Sequence, residues 1–297
     1  MTNACLRCRA PAKINFFLHI LNRNSNGYHQ LHTAFQCIDW FDELEFRLRQ
    51  DSQIQFEGPL FAGKNLVIEA ALALQELVPE KKAQGVCIRL HKSIANGAGL
   101  GGGSSDAATT LIALNTLWNL NVSTIELNTI GLKLGADVPF FLQTQPAIAG
   151  GIGEILSPIQ LPSIPLLVVV PPVHVSTEII FQHKDLPRKR SIPENYPACL
   201  DQDYADLFPK NSGYSNDCEK LVRNLYSEID FLFHQLTEFK TPRLSGTGGS
   251  VFILFDSLAE QQDAKQQLSS QSWTHAGSGF HLHWGKTLIS NTNTEIN

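Results

Sequence analysis

Between Ile94 and Ala108 the chain carries Ala95, Asn96, Gly97, Ala98, Gly99, Leu100, Gly101, Gly102, Gly103, Ser104, Ser105 and Asp106 in unbroken order. Five glycines fall within seven residues, and a helix-forming run, Ala107-Ala-Thr-Thr-Leu-Ile-Ala-Leu114, follows at once. Glycine lets successive backbone N–H groups turn to one side without Cβ clashes. Such a nest at a helix start binds anions, and the helix dipole adds to the attraction. Phosphate is the natural guest. A linker does not run straight into Ser-Ser-Asp and an apolar helix. A Walker A loop needs a lysine after its last glycine, and Gly97 to Thr109 contains none. Gly97, Gly99 and Gly102 satisfy Gly-x-Gly-x-x-Gly formally. The dinucleotide fold also needs an acid-terminated strand about 20 residues later, and Asn119 to Asn128 does not read as one. The loop is therefore expected to cradle phosphate in another way.

Two charged residues could work beside such a cradle. Lys13 lies in an otherwise apolar strand, where it is either an edge gatekeeper or a functional cation. Asn15 shares its face two residues on, ~6.6 Å away by strand rise. Asp137, in Gly135-Ala-Asp-Val-Pro-Phe-Phe141, fits a helix N-cap. It also fits a general base, because phosphoryl transfer asks for positioning and charge rather than covalent chemistry. A lysine beside it would keep it ionised and neutralise phosphoryl oxygens.

The elements that must place these groups follow from periodicity. Alternation over 12–20 predicts a strand with Lys13, Asn15, Phe17 and His19 on one side, and Ile14, Phe16, Leu18 and Ile20 on the other. Thr33–Ile38 and Asp42–Leu48 read as two further strands, the second with Glu43, Glu45 and Arg47 wet. Asn65 is expected to cap a helix through Leu77, its stripe made by Leu66, Ala70, Ala71, Leu74 and Leu77. Gly85–His91 reads as a strand feeding the loop. The helix after the loop should reach about Trp118, and another should run from about Thr124 to Leu134. Pro158, Pro162 and Pro165 suggest a domain boundary, giving domains at 1–157 and 158–297. Beyond it, Leu166–Val170 and Val251–Phe255 read as strands, Asp217–Tyr226, Tyr226–Leu236 and Leu258–Leu268 as helices, and Leu244-Ser-Gly-Thr-Gly-Gly-Ser250 as a second glycine loop. Strands followed by helices in both halves predict an α+β fold.

Composition narrows the function classes. The chain has 297 residues and a net charge of −5, which argues against a nucleic-acid partner. No apolar run approaches the ~18–20 residues of a membrane span, and the N-terminus lacks signal-peptide features, so a cytoplasmic setting is expected. Six scattered cysteines are expected as reduced thiols. Cys5-Leu-Arg-Cys8 lacks the second knuckle of a zinc ribbon. The pairs His29/His32 and His281/His283 have no obvious metal-binding partners.

Pro11-Ala-Lys-Ile-Asn15, Gly27-Tyr-His29, the glycine loop, Gly135-Ala-Asp-Val-Pro139 and Leu244-Ser-Gly-Thr-Gly248 occur in this order. Together they resemble the GHMP kinases across essentially the whole chain. The pairing of Pro-Ala-Lys-Ile-Asn with Gly-Tyr-His is most similar to members acting on a cytidine diphosphate ester of methylerythritol, in isoprenoid precursor synthesis. The resemblance implies a two-domain α+β fold with ATP and a small-molecule substrate in the cleft between the domains. It implies Lys13 and Asp137 as the catalytic pair, and nucleotide contacts from the loop 95–105, Asn65 and Lys92. It implies substrate contacts from Asn15, Tyr28, His29, Thr177, Phe181, Gly246 and Thr247. Tyr28 and Phe181 would sandwich a cytosine that His29 reads at its edge. Mg²⁺ is expected with ATP, its ligands unassigned. The other readings are a homoserine- or mevalonate-class kinase, or a nucleotide-binding regulator without turnover. Family loops usually begin with proline where this chain has Ala95, which leaves the loop less preset in φ.

Overall fold

The structure, a computed structural model, describes residues 5–23, 29–60, 63–77, 85–143, 145–188, 215–268, 274–280 and 289–291. In chain order the elements are β1 (Cys5–Arg23), β2 (His29–Leu48), β3 (Ile54–Glu57), α1 (Leu66–Glu76), β4 (Val86–His91), α2 (Gly102–Leu117), α3 (Thr124–Leu134), α4 (Val138–Leu142), β5 (Ala147–Gly150), β6 (Ile155–Pro158), β7 (Pro165–Val169), α5 (Thr177–Gln182), α6 (Glu219–Leu225), α7 (Ser227–Thr237), β8 (Arg243–Leu244), β9 (Val251–Leu254), α8 (Leu258–Gln267), β10 (Thr274–Phe280) and β11 (Ile289–Asn291).

The framework is a long hairpin. Leu6, Cys8 and Ala10 extend the buried side of the apolar run towards the N-terminus, so β1 starts well before Ala12. The two strands expected at 33–38 and 42–48 are one strand, β2. Asp39 and Trp40 stay extended as a bulge, because pairing steps from Pro11↔Phe41 to Ala12↔Ile38. β2 also pairs with β4, β5 and β10, and the path β11-β1-β2-β10-β7-β9-β8 makes one sheet of both halves. Among the described strands every pairing is antiparallel except that of β3 with β4.

A second bulge matters more for function. Between Asn15↔Phe35 and Leu18↔Thr33, β1 advances three residues while β2 advances two. A strand alternates strictly, so one extra residue exchanges its faces. Phe17 therefore turns into the core, and Leu18 faces the same cavity as Lys13 and Asn15. The expected side assignment holds up to Phe16 and reverses after it. Thr33 donates its hydroxyl to the Phe17 carbonyl at 2.5 Å, satisfying an acceptor inside the bulge.

Helix starts follow their caps. Asn65 Oδ1 accepts from the N–H groups of Val67 and Ile68 at 3.0 and 3.3 Å. The buried stripe of α1 is Val67, Ala70, Ala71 and Leu74. Leu66 turns to the cavity and Leu77 to solvent. Ser123 and Glu126 form a reciprocal capping box at α3. Apolar faces of α1, α2 and α4 pack on β1, β2 and β4 around Phe46, Leu111 and Phe141. A second core gathers α6, α7 and α8 on β7 and β9. A third, with Ile14, Phe17, Ile94, Leu100, Val168 and Phe252, lies where the two halves meet. Glu45, expected wet, is 8% exposed between Arg7 and Arg47, which ion-pair with it and hold its carboxyl below the usual range against the cost of burial.

Candidate active site

The glycine loop leaves β4 and ends at α2. The N-cap of α2 is Gly101, at φ +70°, with no side chain capping the helix. The first helical bond there is Ser105 N–H to Gly101 O at 2.9 Å, so the N–H groups of Gly102, Gly103 and Ser104 have no partner within the helix. They edge a cavity of about 410 Å³ lined by the loop from Ala95 to Ser104. A Cβ at Gly101 would stand 2.9 Å from the Phe141 ring and 3.1 Å from Lys13 Cγ. The loop is thus close-packed behind and open in front, which suits an oligophosphate held by backbone N–H groups and the helix dipole. Ser104 lines the cavity. Ser105 is fully buried and does not.

Lys13 sits on the cavity floor, 4% exposed, its backbone N–H bonded to Leu100 O at 2.9 Å. Its Nζ donates to Asn15 Oδ1 at 2.6 Å and lies 3.4 Å from Asp137 Oδ2. Nζ also stands 4.8 Å from the centre of the Phe35 ring, a favourable place for a cation. Asn15 passes the chain of bonds to Thr33 at 2.8 Å. Asp137 occupies the N-cap position of α4 but makes no capping bond. A third of its side chain is exposed and it lines the cavity, so it is free to meet a substrate hydroxyl.

The second glycine loop closes the site from the other half. Ser245 Oγ accepts from Asn15 N–H and donates to Gly99 O, both at 3.3 Å. Gly99, at φ +75°, has no room for a Cβ because Ser245 O lies against it. Thr247 and Thr177 share a 2.8 Å hydroxyl bond, and Gly246, Thr247, Thr177 and Phe181 line the cavity. Thr177 and Phe181 are placed by the short helix α5, which Ser176 caps. The rings of His29 and Phe181 stack at 5.1 Å and 18°. A base between two rings needs ~7–8 Å, two contact distances, so no base lies between these two. Tyr28 is outside the described residues, as are Cys199, His281 and His283.

Sequence reasoning missed the carboxylates around Lys92. Lys92 Nζ donates to Asp42 Oδ2 at 2.5 Å and to Asp106 Oδ2 at 2.8 Å. Burial would lower the Lys92 pKa, but the charges of Asp106 and Asp42 more than offset it and hold it above the ordinary value. Burial pushes the Asp106 carboxyl up to about 7; Lys92 opposes the rise and Asp42 adds to it. Asp106 Oδ1 has no hydrogen-bond partner among the described residues, which also favours a protonated group. Lys92 lines the cavity, but its charge is already matched. Asn65 spends its carbonyl on the helix cap and is not among the lining residues. Asp42 had one legible signal: it falls on the inward side of the alternation Asp42, Leu44, Phe46.

Residues 65–145 match the GHMP kinases N terminal domain, and residues 197–274 match GHMP kinases C terminal. The 4-diphosphocytidyl-2-C-methyl-D-erythritol kinase of Paraburkholderia phytofirmans is 42% identical over 93% of this chain and 94% of its own. The chain belongs to the GHMP kinase family. The Hahella chejuensis kinase of the same description is 41% identical, over 93% of each chain. A crystal structure of a 4-(cytidine 5'-diphospho)-2C-methyl-D-erythritol kinase superposes with a TM-score of 0.75 at 32% identity, covering 92% of this chain and 98% of that one. A mevalonate kinase structure shares the fold at TM-score 0.68 and 14% identity, covering 93% and 99%. This family member is a two-domain α+β phosphotransferase, and no described helix is long and apolar enough to cross a membrane.

Proposed function

We propose that this kinase transfers the γ-phosphoryl group of ATP to the 2-hydroxyl of 4-diphosphocytidyl-2-C-methyl-D-erythritol, a step in isoprenoid precursor synthesis. The observation that carries the reading is the 3.4 Å approach of Lys13 Nζ to Asp137 Oδ2 beside an uncapped helix N-terminus. The same chemistry stands in the descriptions of relatives matched over nearly the whole chain.

In this reading the loop 95–104 holds the triphosphate through backbone N–H groups. Asp137 accepts the proton of the attacking hydroxyl, and Lys13 lowers the cost of charge on the transferring group. Asn15, braced by Thr33 and Ser245, orients Lys13 and the alcohol. Mg²⁺ would arrive as part of MgATP, held mainly by phosphate oxygens and water, as suits an ion that keeps much of its hydration shell. The cytosine would lie on the face of Phe181 not covered by His29, near Thr177, Gly246 and Thr247. The division into domains at 157/158 places Lys13 and Asp137 in the first and this base-binding surface mostly in the second. A cytoplasmic setting goes with the use of ATP.

The test is a substrate panel with product mass as the readout. Phosphorylation of the cytidine diphosphate ester, and not of homoserine or mevalonate, is the expected result. Turnover of either of those alone would overturn the assignment.

A further inference from the structure

Asp42 has two oxygens with two separate tasks. Oδ1 accepts from the backbone N–H groups of Ser93 and Ile94, at 2.6 and 2.8 Å. These residues open the glycine loop. Oδ2 accepts from Lys92 Nζ, whose next bond reaches Asp106 in the first turns of α2, where the loop ends. One buried carboxylate on β2 is therefore bonded directly to the entry of the loop and, through one ammonium, to its exit. Asp42 is 0% exposed and is not among the cavity-lining residues. It can act only through others.

We infer that Asp42 is the positioning residue of the nucleotide loop: it fixes the separation of the loop's two ends, so that the N–H groups from Gly97 to Ser104 stand in a phosphate-binding arrangement before nucleotide arrives. This rests on the reading of the loop as the ATP site. Only a carboxylate serves both tasks. Asparagine has one acceptor and one donor group. In either orientation its NH₂ would face a donor, either Lys92 Nζ or the Ser93 and Ile94 N–H groups. Preorganisation lost at the loop must be regained on binding, so the deficit belongs to ATP and not to the alcohol.

The experiment compares wild type with Asp42→Asn in KM for ATP, KM for the cytidine diphosphate ester, calorimetric binding of ATP, and hydrogen exchange of amides 97–104 without ligand. Losing a charge-assisted bond should raise KM and Kd for ATP about tenfold or more. The KM for the alcohol should stay within about twofold, as expected when uniform binding is lost on one substrate only. Amides 97–104 should exchange faster. Should Asp42→Asn fail to fold, Asp106→Ala cuts only the tie to α2 and leaves a neutral Asp42–Lys92 pair. It should raise KM for ATP about threefold, the loss of one weaker bond. Unchanged ATP binding and unchanged exchange in a folded variant would overturn the inference, as would equal losses for both substrates. A wild type that binds ATP but ignores the cytidine ester would defeat the proposed substrate alone. A wild type that binds no ATP would defeat the site reading, and the exchange of amides 97–104 would still decide the role of Asp42.

Discussion

Lys13 meets Asp137 although neither has a structural reason to seek the other. The lysine is buried on a strand and bonded to Asn15, and the aspartate starts a helix that it does not cap. In the proposed reaction this approach is what makes the cavity chemically active.

Asp137→Asn should lower kcat by about two to four orders of magnitude, the usual share of a general base. No capping bond is lost, so the fold should persist, with the melting temperature lowered only modestly by the loss of the charge opposite Lys13. Steady-state kinetics and a thermal melt check this. A kcat within a few-fold of wild type would leave Asp137 no part in the chemistry.

Lys13→Met should lower kcat about a hundredfold or more, as expected when a charge aimed at the transferring group is removed. Met retains the apolar stem against Phe35, so folding should persist. Circular dichroism and kcat measured on one preparation separate the two effects.

Asp106 links stability to pH. Its folded-state pKa, about 7, lies above the unfolded value near 4. Between these values the native state keeps a proton that the unfolded chain has lost, so this residue's contribution falls as pH rises from about 4 to about 7. Relative to Asp106→Asn, wild type should therefore gain stability as pH drops from 8 to 5. The scale is about 1.4 kcal/mol for each unit of displacement spanned. Urea titrations of both proteins at the two pH values test it. Parallel changes would mean that Asp106 is ionised throughout.

Phe181→Ala should raise KM for the cytidine ester by roughly 5- to 150-fold, the range of one base–aromatic stack at ~1–3 kcal/mol, with less change in kcat. His29 stacks on one side of the ring, and in the proposed reading the base takes the other. Free CMP should compete with the alcohol and not with ATP. If only the melting temperature falls, Phe181 serves the second core alone.

Much of this was legible because the loop, the Lys13 strand and the Asp137 turn each carry a local signature of glycine density, alternation or turn chemistry. Helices α1 and α3 could be placed because Asn65 and Ser123 act as caps through their own side chains. The reversal after Phe16 was not legible, since a bulge is set by pairing with β2 and leaves the period of β1 unmarked. Short edge strands such as β6 and β8 take their form from neighbours rather than from their own residues. Asp42 and Asp106 were hidden for another reason. A buried carboxylate is explained by its partner, and Lys92 is distant in sequence from Asp42.

β2 carries Leu31, Thr33 and Phe35 along one wall of the cavity and Asp42 beneath the opposite end of the glycine loop. In the proposed reading one strand thus measures the span between the acceptor alcohol and the nucleotide. An insertion or deletion of a single codon between Phe35 and Asp42, unless taken up by the bulge at Asp39 and Trp40, would move one end by about 3.3 Å and turn it to the other face. The number of residues in this segment, more than their identity, sets the distance between its ends, and the strand acts as the molecule's ruler.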